Sequence, residues 1–315
     1  MKFLIYPPIS DAEFAQLQRV AGNTELIHAQ DEATARAHIA EVDGMYGTLT
    51  PGLLAQTHRL RWVQAPVAGV ERYLFSELVN SDITVTNMAG IYSDQIADHA
   101  IMFLLMFARG MNIYFRRQLV RQWQMGVPVI HVGDQTLGVV GLGGIGNEVA
   151  RRGHALGMRV LAVDAKPRAK PDYVAELWNI DQLDRMLAEA DFVVLCVPHT
   201  PETAKLFTLP RLQRMKRTAY LINISRGIVV DLADLTTALQ TGVIAGAAMD
   251  VFEIEPLPAD HPLWGMENVL ITPHMASNLD SPHIPARRIG VVVENLRRFV
   301  AGEPLTNVID KTRWF

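Results

Sequence analysis

The sequence predicts an α/β chain built on parallel sheets, and three observations predict it. Short apolar runs of strand length alternate with amphipathic helical stretches along most of the chain, the pattern of strands joined by helical crossovers. The alternation is broken once, by a long helical stretch after Ser93, and then restarts. At 315 residues the chain is also longer than one ordinary core requires, which points to two domains.

The elements follow in order. "KFLIYPP" reads as a strand closed by its prolines, and Ser10 or Asp11 caps a helix running to about Val20. "TELIHA" is a second strand and "EATARAHIAEV" a helix, while "GMYGTL", "RWVQAP" and "ITVTNM" are three more short strands. One long helix is expected from about Ser93 to Trp123, apolar on every side in its first half and therefore buried on every side, between domains or between subunits. The second half of the chain then gives "TLGVVGL" as a strand, Ile145–Leu156 as a helix and "RVLAVD" as a strand. Next come the helix "IDQLDRMLAEA", the strand "DFVVLCVP", the short helix "RLQRM" and the strand "TAYLINIS". The helix "LADLTTALQTG" and the strands "IAGAAMDVF" and "VLITPH" complete a doubly wound sheet of about six strands. A last helix, "PARRIGVVVENLRRFVAGE", ends at Gly302.

Composition narrows the function classes. Hydrophobic residues make up 49% and charged residues 20%, and 29 basic against 33 acidic side chains leave a net charge of −4. No basic footprint for nucleic acid results. The single cysteine, Cys196, lies inside an apolar run, which leaves no internal disulfide, no Cys-based zinc site, and packing as its expected role. The start "MKFLIYPPIS" is too soon broken for a signal peptide, and "AIMFLLMFA" is too short to span a membrane. A cytoplasmic protein without membrane or nucleic-acid partners is the expectation.

The segment "VVGLGGIGNEVARRG" carries Gly141, Gly143 and Gly146 at G-x-G-x-x-G spacing, with Gly144 and Ile145 between them, after a strand and at the start of a helix. That is the context of a Rossmann-type dinucleotide turn. Gly141 permits the turn, Gly143 lets the backbone approach a pyrophosphate, and Gly146 lets helix and strand pack closely. The helix N-terminus offers N–H groups and the positive end of its dipole to the phosphates. The next strand ends at Asp164, where a carboxylate accepts both ribose hydroxyls and repels a 2′-phosphate, so NAD is expected over NADP. Lys166 and Arg168 lie close enough to soften that preference.

Ligands of open parallel sheets sit beyond the carboxyl ends of the strands. After "TAYLINI" comes Ser225-Arg226-Gly227; after "GAAM" come Asp250, Glu253 and Glu255; after "VLIT" comes Pro273-His274. A cation, carboxylates and a histidine thus fall on the edge that carries the glycine turn, the set needed to bind an anionic substrate and move a proton.

With these residues in hand, "GLGGIG", "VPHTPET", "NISRGIVVD", "AAMDVFEIEP" and "ITPHMAS" together resemble the D-2-hydroxyacid dehydrogenase family, from about Val67 to Ala276 and in the family's order. The resemblance implies a Rossmann-type domain at 96–280 inserted into a smaller flavodoxin-like substrate domain at 1–95 plus 281–315. It implies Arg226, Glu255 and His274 as the active-site arginine, glutamate and histidine, with Glu253 as a decoy. It makes Val67, Ala68 and Gly69 the loop that holds the substrate carboxylate, and Asp250 a contact of the nicotinamide amide. Val197, Pro198, Ile224, Met275, Ala276 and Ser277 would line the cofactor. Asp98 stands where the family usually has Glu, and His199 where leucine is common.

The implied reaction is reduction of a 2-keto acid by NADH or its reverse. Arg226 docks the carboxylate, and His274 supplies the proton while Glu255 favours its imidazolium form. Oxidation, which needs the neutral ring, should favour higher pH. Few cations fall in "YGTLTPG", "PVAGVERY" and "NMAGIYS", the segments expected to line the pocket, Arg72 excepted, which favours a small unphosphorylated acid such as glyoxylate or hydroxypyruvate. A homodimer built on the helix after Ser93 is the family expectation. The alternatives are a non-catalytic NAD-binding module of the corepressor kind and a D-3-phosphoglycerate dehydrogenase-type activity. A formate dehydrogenase would pair its histidine with glutamine, against which Glu255 speaks.

Overall fold

The computed structural model describes residues 1–70, 73–166, 169–277 and 281–314. Its contacts divide the chain into two compact units, Met1–Ile91 with Leu279–Phe315, and Tyr92–Asn278. The first division therefore falls ahead of Gln95, where the chain turns into a new helix at Ser93. The second crossing placed near Asp280, and the cations Arg72 and Arg168, lie outside the described residues.

The first unit alternates strictly. β1 (Lys2–Tyr6), α1 (Asp11–Val20), β2 (Glu25–His28), α2 (Glu32–His38), β3 (Gly44–Gly47), α3 (Pro51–Leu54), β4 (Trp62–Gln64), α4 (Ser76–Val79) and β5 (Thr84–Thr86) follow one another. The five strands form one parallel sheet in the order β2-β1-β3-β4-β5. Ser10 is the cap of α1: its Oγ accepts from the Glu13 amide and Glu13 reaches back to the Ser10 amide, a capping box. Leu4, Ile39, Met45, Leu53, Val63, Leu78 and Val85 are fully buried in its core.

The second unit opens on α5 (Ser93–Ala108) and α6 (Met111–Leu119). Here the expected single helix to Trp123 is corrected. Gly110 takes a left-handed conformation (φ 64°) between the two, and they are bent by 76°. Only glycine holds that conformation without a Cβ penalty, so the break is written at Gly110 although the amphipathic pattern runs on past it. Trp123 lies beyond the helix end, 99% exposed. Among the described residues no single helix is long and apolar enough to cross a membrane.

Then come β6 (Thr136–Val140), α7 (Gly144–Ala155), β7 (Arg159–Asp164), β8 (Glu176–Asn179), α8 (Leu183–Glu189), β9 (Phe192–Leu195), α9 (Leu209–Leu212), β10 (Tyr220–Asn223), α10 (Leu232–Gln240), β11 (Gly246–Met249) and β12 (Val269–Ile271). The sheet has seven parallel strands rather than about six, in the order β12-β11-β10-β9-β6-β7-β8. The additional strand, β8, is the edge beyond β7, and none of its residues is fully buried. The interior strands β6, β9, β10 and β11 are buried almost throughout, as a sheet covered on both faces requires. One face packs α8 and α10 through Met186, Leu187, Leu235 and Ala238; the other packs α5 and α7 through Phe103, Leu104, Phe107, Val149 and Ala150. Cys196, half-buried, packs against the second of these layers, and burial of its thiol pushes it well above the usual range. The chain ends on α11 (Ile284–Ala301), which returns to the first unit against α1 and stops at a left-handed Gly302.

Candidate active site

The order β12-β11-β10-β9-β6-β7 places six strand ends side by side on one edge of the second unit, because all the strands point the same way. The glycine turn follows β6. Gly141 has φ 91°, and a Cβ there would come within 2.9 Å of the Cys196 carbonyl oxygen. A Cβ on Gly146 would fall 1.9 Å from the Gly141 carbonyl oxygen, so helix and turn close upon each other through bare backbone. Gly143 differs: a Cβ there would meet nothing within 4 Å, leaving open space at the mouth of α7. Gly144 and Ile145 form the first turn of that helix, which has no side-chain cap. A twelve-residue helix whose leading amides lack a side-chain acceptor, fronted by a Cβ-free approach, fits a pyrophosphate. Asn147 secures the turn, donating to the carbonyls of Leu142 (2.7 Å) and Gly143 (2.9 Å) and accepting from the Tyr173 hydroxyl (3.0 Å).

Asp164 ends β7 as expected and is 9% exposed. Its carboxylate accepts from the Leu142 amide (2.7 Å) and from the Lys166 amide (2.7 Å), and so ties the glycine turn to the neighbouring strand. These bonds use part of the four acceptor positions of a carboxylate.

Arg226 stands in extended backbone after β10, its Nη1 donating to the Ser225 carbonyl (2.8 Å). Asn223 shapes that turn. Its side chain donates to the Arg226 carbonyl (3.0 Å) and accepts from the Ser225 amide (3.1 Å) and hydroxyl (2.8 Å). Gly227 then lies directly on the next strand's loop, where a Cβ would overlap the Phe252 carbonyl group at 1.8 Å. The Phe252 amide in turn donates to Glu255 Oε1 (2.9 Å), and Glu255 Oε2 lies 2.8 Å from His274 Nδ1. The expected Glu255–His274 bond is therefore present, in a continuous line from the Arg226 turn to the imidazole. Glu253 points elsewhere, to Lys205 Nζ (3.4 Å).

His274 has φ 52°, a left-handed conformation that a non-glycine residue adopts at a cost of about 1–2 kcal/mol. Asp250, 1% exposed, holds it there. The Asp250 carbonyl accepts from the His274 amide (2.8 Å), Oδ1 accepts from the Met275 amide (2.9 Å), and Oδ2 accepts from the Ala276 amide (2.9 Å). Thr272 adds its hydroxyl to Oδ1 at 2.6 Å, and His99 Nε2 on α5 lies 2.9 Å from that same hydroxyl oxygen. Strain that is held from several sides is typical of a working site. Asn223, Thr272, His99 and Asn147 are absent from the sequence-based set; Thr272 and His99 are partners 173 residues apart, while Asn223 and Asn147 brace the turns beside them from within the quoted motifs.

Of the other expected residues, Val197 and Ile224 are buried on the ends of β9 and β10, Pro198 is exposed beside Val197, and Ala276 is buried while Met275 is half exposed and Ser277 lies next to it. Val67, Ala68 and Gly69 belong to the first unit, after β4. The carbonyls of Val67 and Ala68 are fixed by the Met88 amide (2.9 Å) and the Asn87 side chain (2.6 Å).

Comparison with known proteins agrees with this frame. The model for the D-isomer specific 2-hydroxyacid dehydrogenase NAD binding domain matches residues 101–276. A glyoxylate reductase of Korarchaeum cryptofilum is 36% identical over 310 residues, covering 94% of this chain and 92% of its own. A D-isomer specific 2-hydroxyacid dehydrogenase from Xanthobacter autotrophicus, solved with NADPH, is similar at a TM-score of 0.84 with 31% identity, over 100% of this chain and 99% of that one. An NADPH-dependent glyoxylate/hydroxypyruvate reductase from Sinorhizobium meliloti, solved with NADP, reaches 0.83 with 26% identity over the same shares. The matched region holds the glycine turn, the Arg226 turn and the His274 turn in their expected order, and the chain belongs to the D-isomer specific 2-hydroxyacid dehydrogenase family.

Proposed function

We propose that this protein is an NAD-dependent reductase of a small unphosphorylated 2-keto acid, with glyoxylate or hydroxypyruvate as substrate. The observation that carries the reading is the Glu255–His274 pair at 2.8 Å, on the sheet edge that also bears the glycine turn. The second unit acts as the NAD domain and the first as the substrate domain, with Val67, Ala68 and Gly69 receiving the substrate carboxylate. Bound nicotinamide supplies a hydride to C2. Arg226 binds the carboxylate and the C2 carbonyl oxygen, a planar bidentate task that lysine does not replace. His274 gives a proton to that oxygen as negative charge gathers on it, and Glu255 keeps the ring oriented. Three of the about four acceptor positions on the Asp250 carboxylate are taken by the turn, which leaves one for the nicotinamide amide. Val197, Pro198, Ile224, Met275, Ala276 and Ser277 complete the cofactor's surroundings. The names of the glyoxylate reductases among the relatives support the substrate class. A panel of glyoxylate, hydroxypyruvate and pyruvate, followed by NADH and NADPH absorbance, tests the reading; no turnover of any with either cofactor overturns it.

The preference for NAD rests on Asp164, whose charge opposes a 2′-phosphate. Asp164→Asn keeps one acceptor oxygen and removes the charge. The expected result is an NADPH-to-NADH ratio of kcat/KM higher by roughly tenfold, the effect of about one unit-charge repulsion near a protein surface. An unchanged ratio would reduce Asp164 to a cap of the turn.

A homodimer is part of the same reading. Ile101, Met102, Leu105, Met106 and Met111 line an apolar groove on α5 and the start of α6, and Leu119, Trp123 and Met125 are each more than four-fifths exposed. Exposed apolar surface of this kind marks an interface. Sedimentation at micromolar concentration should give the mass of two chains; the mass of one chain would sink the proposal.

A further inference from the structure

The His99 side chain is the least expected polar group in the second unit. It sits on α5 among Ala97, Ala100, Ile101 and Phe103, its ring edge-on to Phe103 at 4.6 Å, and only 9% of the side chain is exposed. Its partner is Thr272, 173 residues away, at 2.9 Å. The Thr272 hydroxyl has one proton, and the 2.6 Å contact to Asp250 Oδ1 takes it, since a carboxylate only accepts. The Thr272 oxygen must then accept from His99, which fixes the proton on Nε2. Asp250 passes the constraint on to the amides of Met275 and Ala276, the two residues after His274. We infer that His99 is a positioning residue: its Nε2–H, through the Thr272 hydroxyl and the Asp250 carboxylate, holds the left-handed turn that carries His274. Burial lowers the His99 pKa, with Asp250 at 3.7 Å opposing, so the ring stays neutral and its tautomer carries the information. The inference rests on the reading of His274 as proton donor, but the network is geometric and is measured separately.

Four forms of the full-length protein decide it: wild type, His99→Phe, His99→Gln and Thr272→Val. Phe keeps the ring packing without the donor, whereas Gln returns an amide N–H near the Nε2 position. Exchange of the Met275 and Ala276 amides should accelerate roughly tenfold in His99→Phe and Thr272→Val, as expected when one buried hydrogen bond is lost, and return toward wild type in His99→Gln. Nitrogen NMR of 15N-histidine protein should give His99 as the Nε2-protonated tautomer. For 2-keto acid reduction, kcat should fall roughly tenfold in His99→Phe with KM within about twofold, and recover in His99→Gln. Wild-type exchange in His99→Phe, an Nδ1-protonated His99, or Gln behaving as Phe does would each overturn the inference. A wild type inert toward every keto acid would instead sink the proposed function, and the exchange and tautomer measurements would still judge the network.

Discussion

Replacing His274 by alanine is expected to lower kcat for 2-keto acid reduction by roughly two to four orders of magnitude, the usual contribution of a positioned proton donor. The argument is geometric. The ring is held at Nδ1 by Glu255 at 2.8 Å, which turns Nε2 outward, and the backbone beneath it is fixed in a left-handed turn by three bonds to Asp250. No other imidazole among the expected site residues occupies that edge. KM should change little, because Arg226 and the loop of Val67, Ala68 and Gly69 carry substrate binding in this reading. Glu255→Gln is the companion variant. It keeps a hydrogen-bond acceptor near Nδ1 but removes the carboxylate charge that strengthens that bond, so the ring is held less firmly and kcat should fall by roughly tenfold. Steady-state kinetics check both; near-normal turnover in His274→Ala or in Glu255→Gln would remove the proton-transfer role.

Gly146→Ala should have the next largest effect, and Gly143→Ala is its control. At 146 the new methyl would fall 1.9 Å from the Gly141 carbonyl oxygen and 3.2 Å from Val139. Both obstacles are a tight turn and a buried strand, so the turn must open, at a cost of about 1–3 kcal/mol for overpacking. The phosphate-binding amides move with it, and a displacement of about 1 Å in such a site costs about a hundredfold. Gly146→Ala should therefore melt earlier and bind NADH about a hundredfold more weakly. At 143 the methyl meets no protein atom, so the melting temperature should stay at the wild-type value while NADH binding falls. Thermal melts with and without NADH separate the cases, because a bound cofactor raises the melting point only in proportion to its affinity. Equal melting of all three proteins with full NADH stabilisation would refute the cradle.

Much of this fold was legible because its punctuation is chemical. Ser10 and Glu13 announce α1, Gly302 closes α11, and the β6–α7 turn is written in glycine. What escaped the reading had weak local signals. β8 is a half-exposed edge strand with no apolar run, α3 and α4 are shorter than one helical period can reveal, and the bend at Gly110 lies inside an amphipathic pattern that continues through it. In the candidate site, residues within a motif could be named, and the family resemblance, carried here by "AAMDVFEIEP" and "ITPHMAS", implied the Glu255–His274 pair. The bracing roles of Asn223 and Thr272 could not be named although both lie within quoted motifs, nor could that of His99, since what they do depends on which turn they brace, and for His99 that turn lies 173 residues downstream. A histidine at the head of the apolar run of α5 was the available hint.

The residues proposed for cofactor and proton chemistry, from the glycine turn to His274, are encoded in one uninterrupted stretch, Tyr92–Asn278, whereas the proposed carboxylate loop belongs to the unit assembled from the two chain ends. On that proposal, substitutions in the terminal segments would change the choice of acid while leaving the residues proposed for hydride and proton transfer untouched. Chimaeras that graft a relative's termini onto this central stretch are the natural place to look for altered selectivity with inherited chemistry.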